Sequence, residues 1–266
     1  MSLKISHYAG FFSCCSVMLY TLIEYYNKHH ELPKEIDTVD LFDWYKKENK
    51  HISIYNDYFR KHNDNVLNNY SIQWEGNNIN YHHEHQFSDY KNLDYRNLNV
   101  FINKYFYPSD MIRSLVLILE YKYINNKYSY DNLCVLFYRG NDKVTETNLT
   151  NYQEYITKAR EFLVENPNII FLIQSDETEF IEVMTKEFPN SFYFKDEIRH
   201  MNKINSTVDV VFSDKNNEFS KYYLAITIIM GKCKYIICQS GNCSIWIMLF
   251  RNHANNIKQF LHDRWL

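Results

Sequence analysis

The chain has 266 residues, a net charge of −3, 45% hydrophobic and 23% charged residues, enough to bury a sizeable core as one large or two small α/β domains. The slightly negative balance excludes the basic surface that nucleic acid or an anionic membrane would need. No run approaches the ~20 apolar residues of a bilayer span.

Gly (5) and Pro (4) are scarce while Asn, Tyr, Lys and Ile abound, so an Asn-rich segment is not by itself a loop. Cys14, Cys15, Cys134, Cys233, Cys238 and Cys243 mostly sit among apolar residues without paired CxxC spacing, which reads as small buried hydrophobes in a reducing compartment. Lys4, His7 and Gly10 interrupt the start of the chain and no small-residue cleavage site follows, so a signal peptide is not expected. The expectation is a cytoplasmic chain in which the sequons at Asn69, Asn148, Asn205 and Asn242 are accidents of composition.

Leu3 to Ser6 predicts a first strand, followed by a turn through Gly10, Phe11 and Phe12 and a helix capped by Ser13 and running to about His30. Pro33 stops it, and Ile36 to Leu41 predicts the second strand of a βαβ unit. The glycine in that turn either lets a ligand approach the backbone at a helix N-terminus or simply makes a tight turn. From Phe42 to Asn99 the pattern blurs: His82, His83 and His85 are either metal ligands or part of a solvated loop, and an acceptor substrate would lie over this region. Phe101 to Tyr107 reads as extended. Ser109 or Asp110 caps a helix to about Tyr123 with Met111, Leu115, Ile118 and Leu119 on its apolar face. The polar stretch Asn125 to Asp131 marks a boundary between a domain at 1–125 and one at 126–266.

Leu133 to Tyr138 is an unbroken apolar run that ends abruptly in Arg139, Gly140, Asn141, Asp142, Lys143 and, shortly after, Glu146. A parallel strand buried on both faces reads this way. The charged cluster then lies beyond its carboxyl end, where open α/β sheets bind ligands. It is either such a site, with Arg139 offering a fork of donors to a phosphate, or a solvated turn. Beyond it the chain alternates: a helix from Tyr152 to Glu165, a strand at Ile169 to Ile173 ending in Gln174 to Glu177, a helix from Glu179 to Phe188 and a short strand at Ser191 to Phe194. A charged loop from Lys195 to Asn217 follows, with Val208 to Phe212 as an edge strand. A helix from Tyr222 to Met230, a strand from Lys234 to Cys238 ending in Gln239 to Asn242, and a helix from Ser244 to about Phe250 complete the series. The alternation predicts a doubly wound parallel sheet, with polar clusters at Arg139, Asp176 and Ser240 converging on one crevice.

The order Arg139-Gly140-Asn141-Asp142-Lys143, then Gln174-Ser175-Asp176-Glu177, then the strand into Gln239-Ser240-Gly241-Asn242 resembles the α-1,6-fucosyltransferase group of N-glycan core and nodulation-factor enzymes. Lys104 to Pro108 looks like the family's segment leading into that domain, and Gly10 to Ser13 like its glycine-containing first turn. The resemblance spans about residues 101–250. It implies a GT-B fold, two Rossmann-like domains facing a cleft, with the N-terminal one on the acceptor side and the C-terminal one holding the nucleotide sugar. It implies inverting, metal-independent transfer of L-fucose from GDP-fucose to a glycan, with no cofactor.

By position, Arg139 matches the arginine on the donor pyrophosphate, Asp142 and Lys143 an Asp-Lys pair, and Asp176 the first Asp of a Thr-Asp-Asp turn. Ser240, Gly241 and Asn242 fall where the family places hydroxyl and N–H groups on the β-phosphate, Gly10 and Phe11 at the donor-side turn, and Glu146 one residue from the proposed base. The sequence departs from the family at Phe137, where it has histidine, at Gly140, where it has a second arginine, and at Ile226 or Thr227, where it has an aspartate near the base. The alternatives are a catalytically inactive nucleotide- or carbohydrate-binding module of the same fold, or an unrelated nucleotide-binding protein. The last is disfavoured because neither GxGxxG nor a Walker lysine is present. A sugar-transfer reading requires Arg139 and Ser240 to face one pocket wide enough for a diphosphate.

Overall fold

The computed structural model describes residues 2–47, 50–60 and 83–266. His82 of the histidine cluster, the sequon at Asn69 and part of the segment expected beneath an acceptor lie outside the described residues.

β1 (Ser2–Ser6), α1 (Phe11–His29) and β2 (Glu35–Asp40) form a βαβ unit whose strands run parallel, Leu3 opposite Ile36. The helix starts two residues before the expected Ser13 cap. Its first amide, which has no partner within a helix, donates instead to the Tyr45 hydroxyl at 2.6 Å. Ser13 sits inside the first turn with its Oγ 2.9 Å from His7 Nε2.

α2 (Tyr55–Tyr58) leads into β3 (Phe59–Arg60), then α3 (Tyr95–Tyr105), β4 (Tyr107–Pro108), which pairs antiparallel with β3, and α4 (Asp110–Leu119). The expectation of extended chain from Phe101 is corrected: most of that stretch is helix. Leu98, Phe101, Ile102 and Tyr105 are buried at helical spacing and Asp94 caps the start by accepting from the Asn97 amide. Ser109 is the cap of α4, accepting from the Ile112 amide.

β5 (Leu133–Tyr138), α5 (Tyr152–Glu165), β6 (Ile170–Ser175), α6 (Thr178–Glu187) and β7 (Ser191–Phe192) follow as expected. The expected edge strand at Val208 to Phe212 is instead the short helix α7 (Val208–Val211), whose cap Thr207 accepts from the Val210 amide. α8 (Asn216–Lys232) starts six residues before the expected Tyr222, β8 (Tyr235–Gln239) lies one residue later than expected, α9 (Asn242–Arg251) extends slightly beyond its expected bounds, and β9 (Ile257–Leu261) and β10 (Arg264–Trp265) had no counterpart in the sequence reading. The six strands lie in the order β10-β9-β8-β5-β6-β7. All pairs are parallel except the edge pair β10–β9.

Every residue of β5 is buried, as a central strand covered on both faces must be. Its register sets Tyr138 opposite Ser175 and Phe137 opposite Cys238, so the carboxyl ends of β8, β5 and β6 lie side by side. α9 joins the sheet to the N-terminal half, because α1, α3 and α8 all pack on it. At its centre is Trp246, fully buried against Phe12, Phe106 and Phe250. Its indole N–H donates to Ser16 Oγ at 2.9 Å, and Ser16 in turn donates to Asn242 Oδ1 at 2.9 Å. Truncating such a residue costs roughly 3–5 kcal/mol, so one core side chain both holds the two halves together and fixes the start of α9. Among the described residues no helix is long and apolar enough to cross a membrane.

Candidate active site

The crevice outside the carboxyl ends of β5 and β8 is a cleft of about 660 Å³. Gly10 to Ser13 line one side; Arg139, Asp142, Lys143 and Glu146 line another; Gln239 to Ser244, ending β8 and opening α9, line the third. Arg139 and Ser240 therefore face the same space, as the sequence reading required.

Arg139 is held from behind. Its Nε lies 2.8 Å from Asp176 Oδ2 and its Nη2 2.9 Å from Asp142 Oδ1, while Nη1 is 3.5 Å from the Tyr223 hydroxyl. Asp176 is 4% exposed; its other oxygen accepts from the Gly140 amide at 3.0 Å and its carbonyl from Asn141 Nδ2 at 2.8 Å. Asp176 thus sits beneath the turn and off the wall of the larger cleft, aiming the guanidinium and the chain that follows it. Burial works against the charge of Arg139, but Asp176, Tyr223 and Asp142 outweigh it and raise the guanidinium pKa further.

Lys143 is almost buried, 2.5 Å from Glu146 Oε2 and 3.1 Å from Gln86 Oε1. The same Gln86 oxygen accepts from the Asn242 amide at 3.1 Å. Ser240 is committed elsewhere: its Oγ donates to the Phe260 carbonyl at 2.8 Å and accepts from Gln259 Nε2 at 2.8 Å. The Gly241 amide donates to the Tyr90 hydroxyl at 3.0 Å. On the opposite wall the Phe11 amide is taken by Tyr45, whose hydroxyl donates to Asp209 Oδ2 at 3.0 Å, and Asp209 Oδ1 is 2.6 Å from Arg199 Nη2. A Cβ at Gly10 would meet nothing closer than the Tyr45 hydroxyl at 3.9 Å, so the fold does not demand glycine there.

The residues singled out in the sequence are therefore brought together, except that Asp176 lies behind the others. Gln86, Tyr90, Tyr45 and Asp209 were not anticipated. Gln86 and Asp209 line the cleft, while Tyr45 and Tyr90 stand behind its wall on the Phe11 and Gly241 amides, and contacts between segments far apart in the chain bring all four there. A narrower recess adjoins Arg139, with Phe137, Ile226, Phe219 and Tyr223 as apolar and aromatic walls and Gln174 at its edge. Phe137 and Ile226 both line it; the sequence reading had set Phe137, and Ile226 or Thr227, apart from the fucosyltransferase pattern. Among the described residues no group of three or more His, Cys, Asp or Glu side chains is arranged to hold a metal ion.

No known family model matches the chain, and no curated protein matches it. Two crystal structures of the NodZ α-1,6-fucosyltransferase are similar in the course of the chain. The one co-crystallised with GDP has 12% identity and a TM-score of 0.37 over 55% of this chain and 42% of that chain. The one soaked with GDP-fucose has 10% identity and a TM-score of 0.49 over 94% of this chain and 92% of that chain.

Proposed function

We propose that the chain is an inverting, metal-independent glycosyltransferase of GT-B arrangement, transferring L-fucose from GDP-fucose to a glycan. In this reading residues 1–125 form the acceptor side and residues 126–266 bind the nucleotide sugar. The observation that carries it is the convergence of Arg139, Lys143 and the start of α9 on one cleft, whose volume lies within the range of roughly 300–1,000 Å³ usual for ligand pockets. Departure of a nucleoside diphosphate from a sugar places charge on the β-phosphate. A guanidinium fixed on two carboxylates, an ammonium beside it and the positive end of a helix would stabilise that charge without a metal. Glu146 keeps its Oε1 beyond the pair with Lys143 and would take the proton of the acceptor hydroxyl as that oxygen attacks opposite the leaving group. The order of motifs in the C-terminal half supports fucose and GDP; the apolar Phe137 and Ile226 beside Arg139 make the base the least supported part.

A binding module without turnover is the second reading. It is favoured by the pairing of all three carboxylates of the cluster with cations: Asp142 and Asp176 with Arg139, Glu146 with Lys143. Thermal unfolding in the presence of GDP, UDP and their sugar conjugates, followed by mass spectrometry for transfer or donor hydrolysis, separates the two. Stabilisation by GDP-fucose with turnover supports the transferase, and stabilisation by UDP-sugars alone overturns the fucose donor. Binding without turnover across all donors selects the module. Protection by no nucleotide removes the transferase and the nucleotide-binding module, leaving a carbohydrate-binding one.

A further inference from the structure

The acceptor of two donors at the heart of the cleft is a neutral amide. Gln86 Oε1 receives the Lys143 ammonium at 3.1 Å and the first amide of α9, Asn242 N–H, at 3.1 Å, and Gln86 is 4% exposed. A fixed ammonium together with a helix N-terminus is the pair of groups that holds a phosphoryl oxygen. A carbonyl there satisfies both donors but brings no charge to them. Gln239, 4% exposed and also lining the cleft, has no well-formed hydrogen bond at either atom of its side-chain amide, with the Tyr138 hydroxyl as its nearest polar neighbour. Buried polar groups of this kind are few in native proteins and call for a partner.

We propose that Gln86 Oε1 occupies the seat of an anionic phosphoryl oxygen between Lys143 and the first turn of α9, and that the ligand binds by displacing it. The displacement needs only the side chain to turn. The backbone of this segment is pinned independently: the Tyr90 hydroxyl is 2.9 Å from the Gln86 carbonyl and accepts from the Gly241 amide, and Gln259 accepts from the Tyr90 amide at 2.9 Å and donates to the Ser88 carbonyl at 2.8 Å. Gln86 is then a built-in competitor that satisfies the two donors itself, and the apparent affinity is the intrinsic one multiplied by the fraction of molecules in which it is unseated. The inference rests on the nucleotide-sugar reading of the cleft for the identity of the ligand, but concerns the phosphoryl oxygen alone.

The test is calorimetric titration of the full chain with inorganic pyrophosphate and with GDP, in wild type, Gln86→Ala, Gln86→Met and Gln86→Glu. Removing the oxygen should tighten pyrophosphate by roughly threefold or more. The Met variant, which keeps the side-chain volume, should do the same, so a packing defect in the Ala variant does not decide the outcome. The Glu variant seats a permanent anion and should weaken binding at least tenfold. Binding unchanged or weakened in both Ala and Met variants overturns the proposal and makes Gln86 a fixed bracket for Lys143. If GDP binds through Arg139 while the Gln86 variants behave as wild type, only this inference falls. If neither ligand binds any of the four proteins, it falls together with the function proposed above.

Discussion

Gly140 and Glu177 meet across the ends of neighbouring strands so closely that a Cβ at position 140 would lie 1.9 Å from Glu177 Oε1. Glu177 has no room to yield freely: it is fully buried, with Oε2 accepting from the Tyr152 hydroxyl. Here the chain has glycine, and a carboxylate fills the space beside it. Gly140→Ala is therefore expected to cost about 1–3 kcal/mol through overpacking, read from urea unfolding. Adding Glu177→Ala should make the pair less destabilising than the sum of the two single changes; strict additivity would show that no clash exists.

The same glutamate should make stability pH-dependent. Burial is the main cause that raises its pKa, the charges of Asp176 and Glu179 add to it, and the Tyr152 hydrogen bond and Lys203 oppose it. A carboxyl whose folded value is raised stabilises the fold most below the ordinary glutamate value of about 4.3, and that contribution is lost as pH rises through the raised folded value. Glu177→Gln should therefore be more stable than wild type at pH 7 to 8, with the advantage shrinking towards pH 4. An advantage that grows on acidification would contradict the assignment.

Arg139 holds Asp176 and Asp142, and the proposed binding of a diphosphate can be separated from that structural role. Arg139→Lys keeps a cation near Asp176 and Asp142 but loses the planar fork, so GDP or pyrophosphate affinity should fall at least tenfold in calorimetry while the fold is retained. Arg139→Ala also strands the almost buried Asp176 and should lower stability by about 3 kcal/mol. Full ligand affinity in either variant would remove Arg139 from the site.

Tyr45→Phe tests the contact between the halves. The hydroxyl accepts from the Phe11 amide and donates to Asp209, and all of Tyr45 is buried. Its loss leaves a buried N–H unpaired at the start of α1, for a cost of about 1–3 kcal/mol. Protection of the Phe11 amide against hydrogen exchange should drop with it; unchanged protection would mean that another acceptor takes over.

Much of the sheet was legible because its signal is local. The apolar run from Leu133 to Tyr138 with no polar alternation can only be buried on both faces, and its abrupt end in Arg139 places that side chain at a carboxyl edge whatever the neighbours are. The alternation of such runs with amphipathic helices predicted that β5, β6 and β8 run parallel; their order in the sheet came from the tertiary structure. Readings failed where context decides: of the face expected on α4, Met111 and Ile118 are exposed, and Ile112, Val116 and Leu119 are buried instead. Phe101 to Tyr107 looks extended by its aromatic content, but its helix is set by which face docks on α9 and by the Asp94 cap. Val208 to Phe212 is β-branched, yet Thr207 caps it as a helix and Asp209 is held by Arg199 and Tyr45.

The site divides in the same way. Residue identity at a strand end marked Arg139 as a group able to meet a diphosphate and Lys143 as its neighbour for proton and charge work; the start of α9 entered through the resemblance. Only the tertiary structure could put Asp176 behind Arg139, commit the Ser240 hydroxyl to Phe260, and seat Gln86 between Lys143 and Asn242, 57 and 156 residues away in the chain. Hydrogen-bond partners at such separations leave no periodicity for a sequence to carry; they exist only once α9 has packed between the two halves.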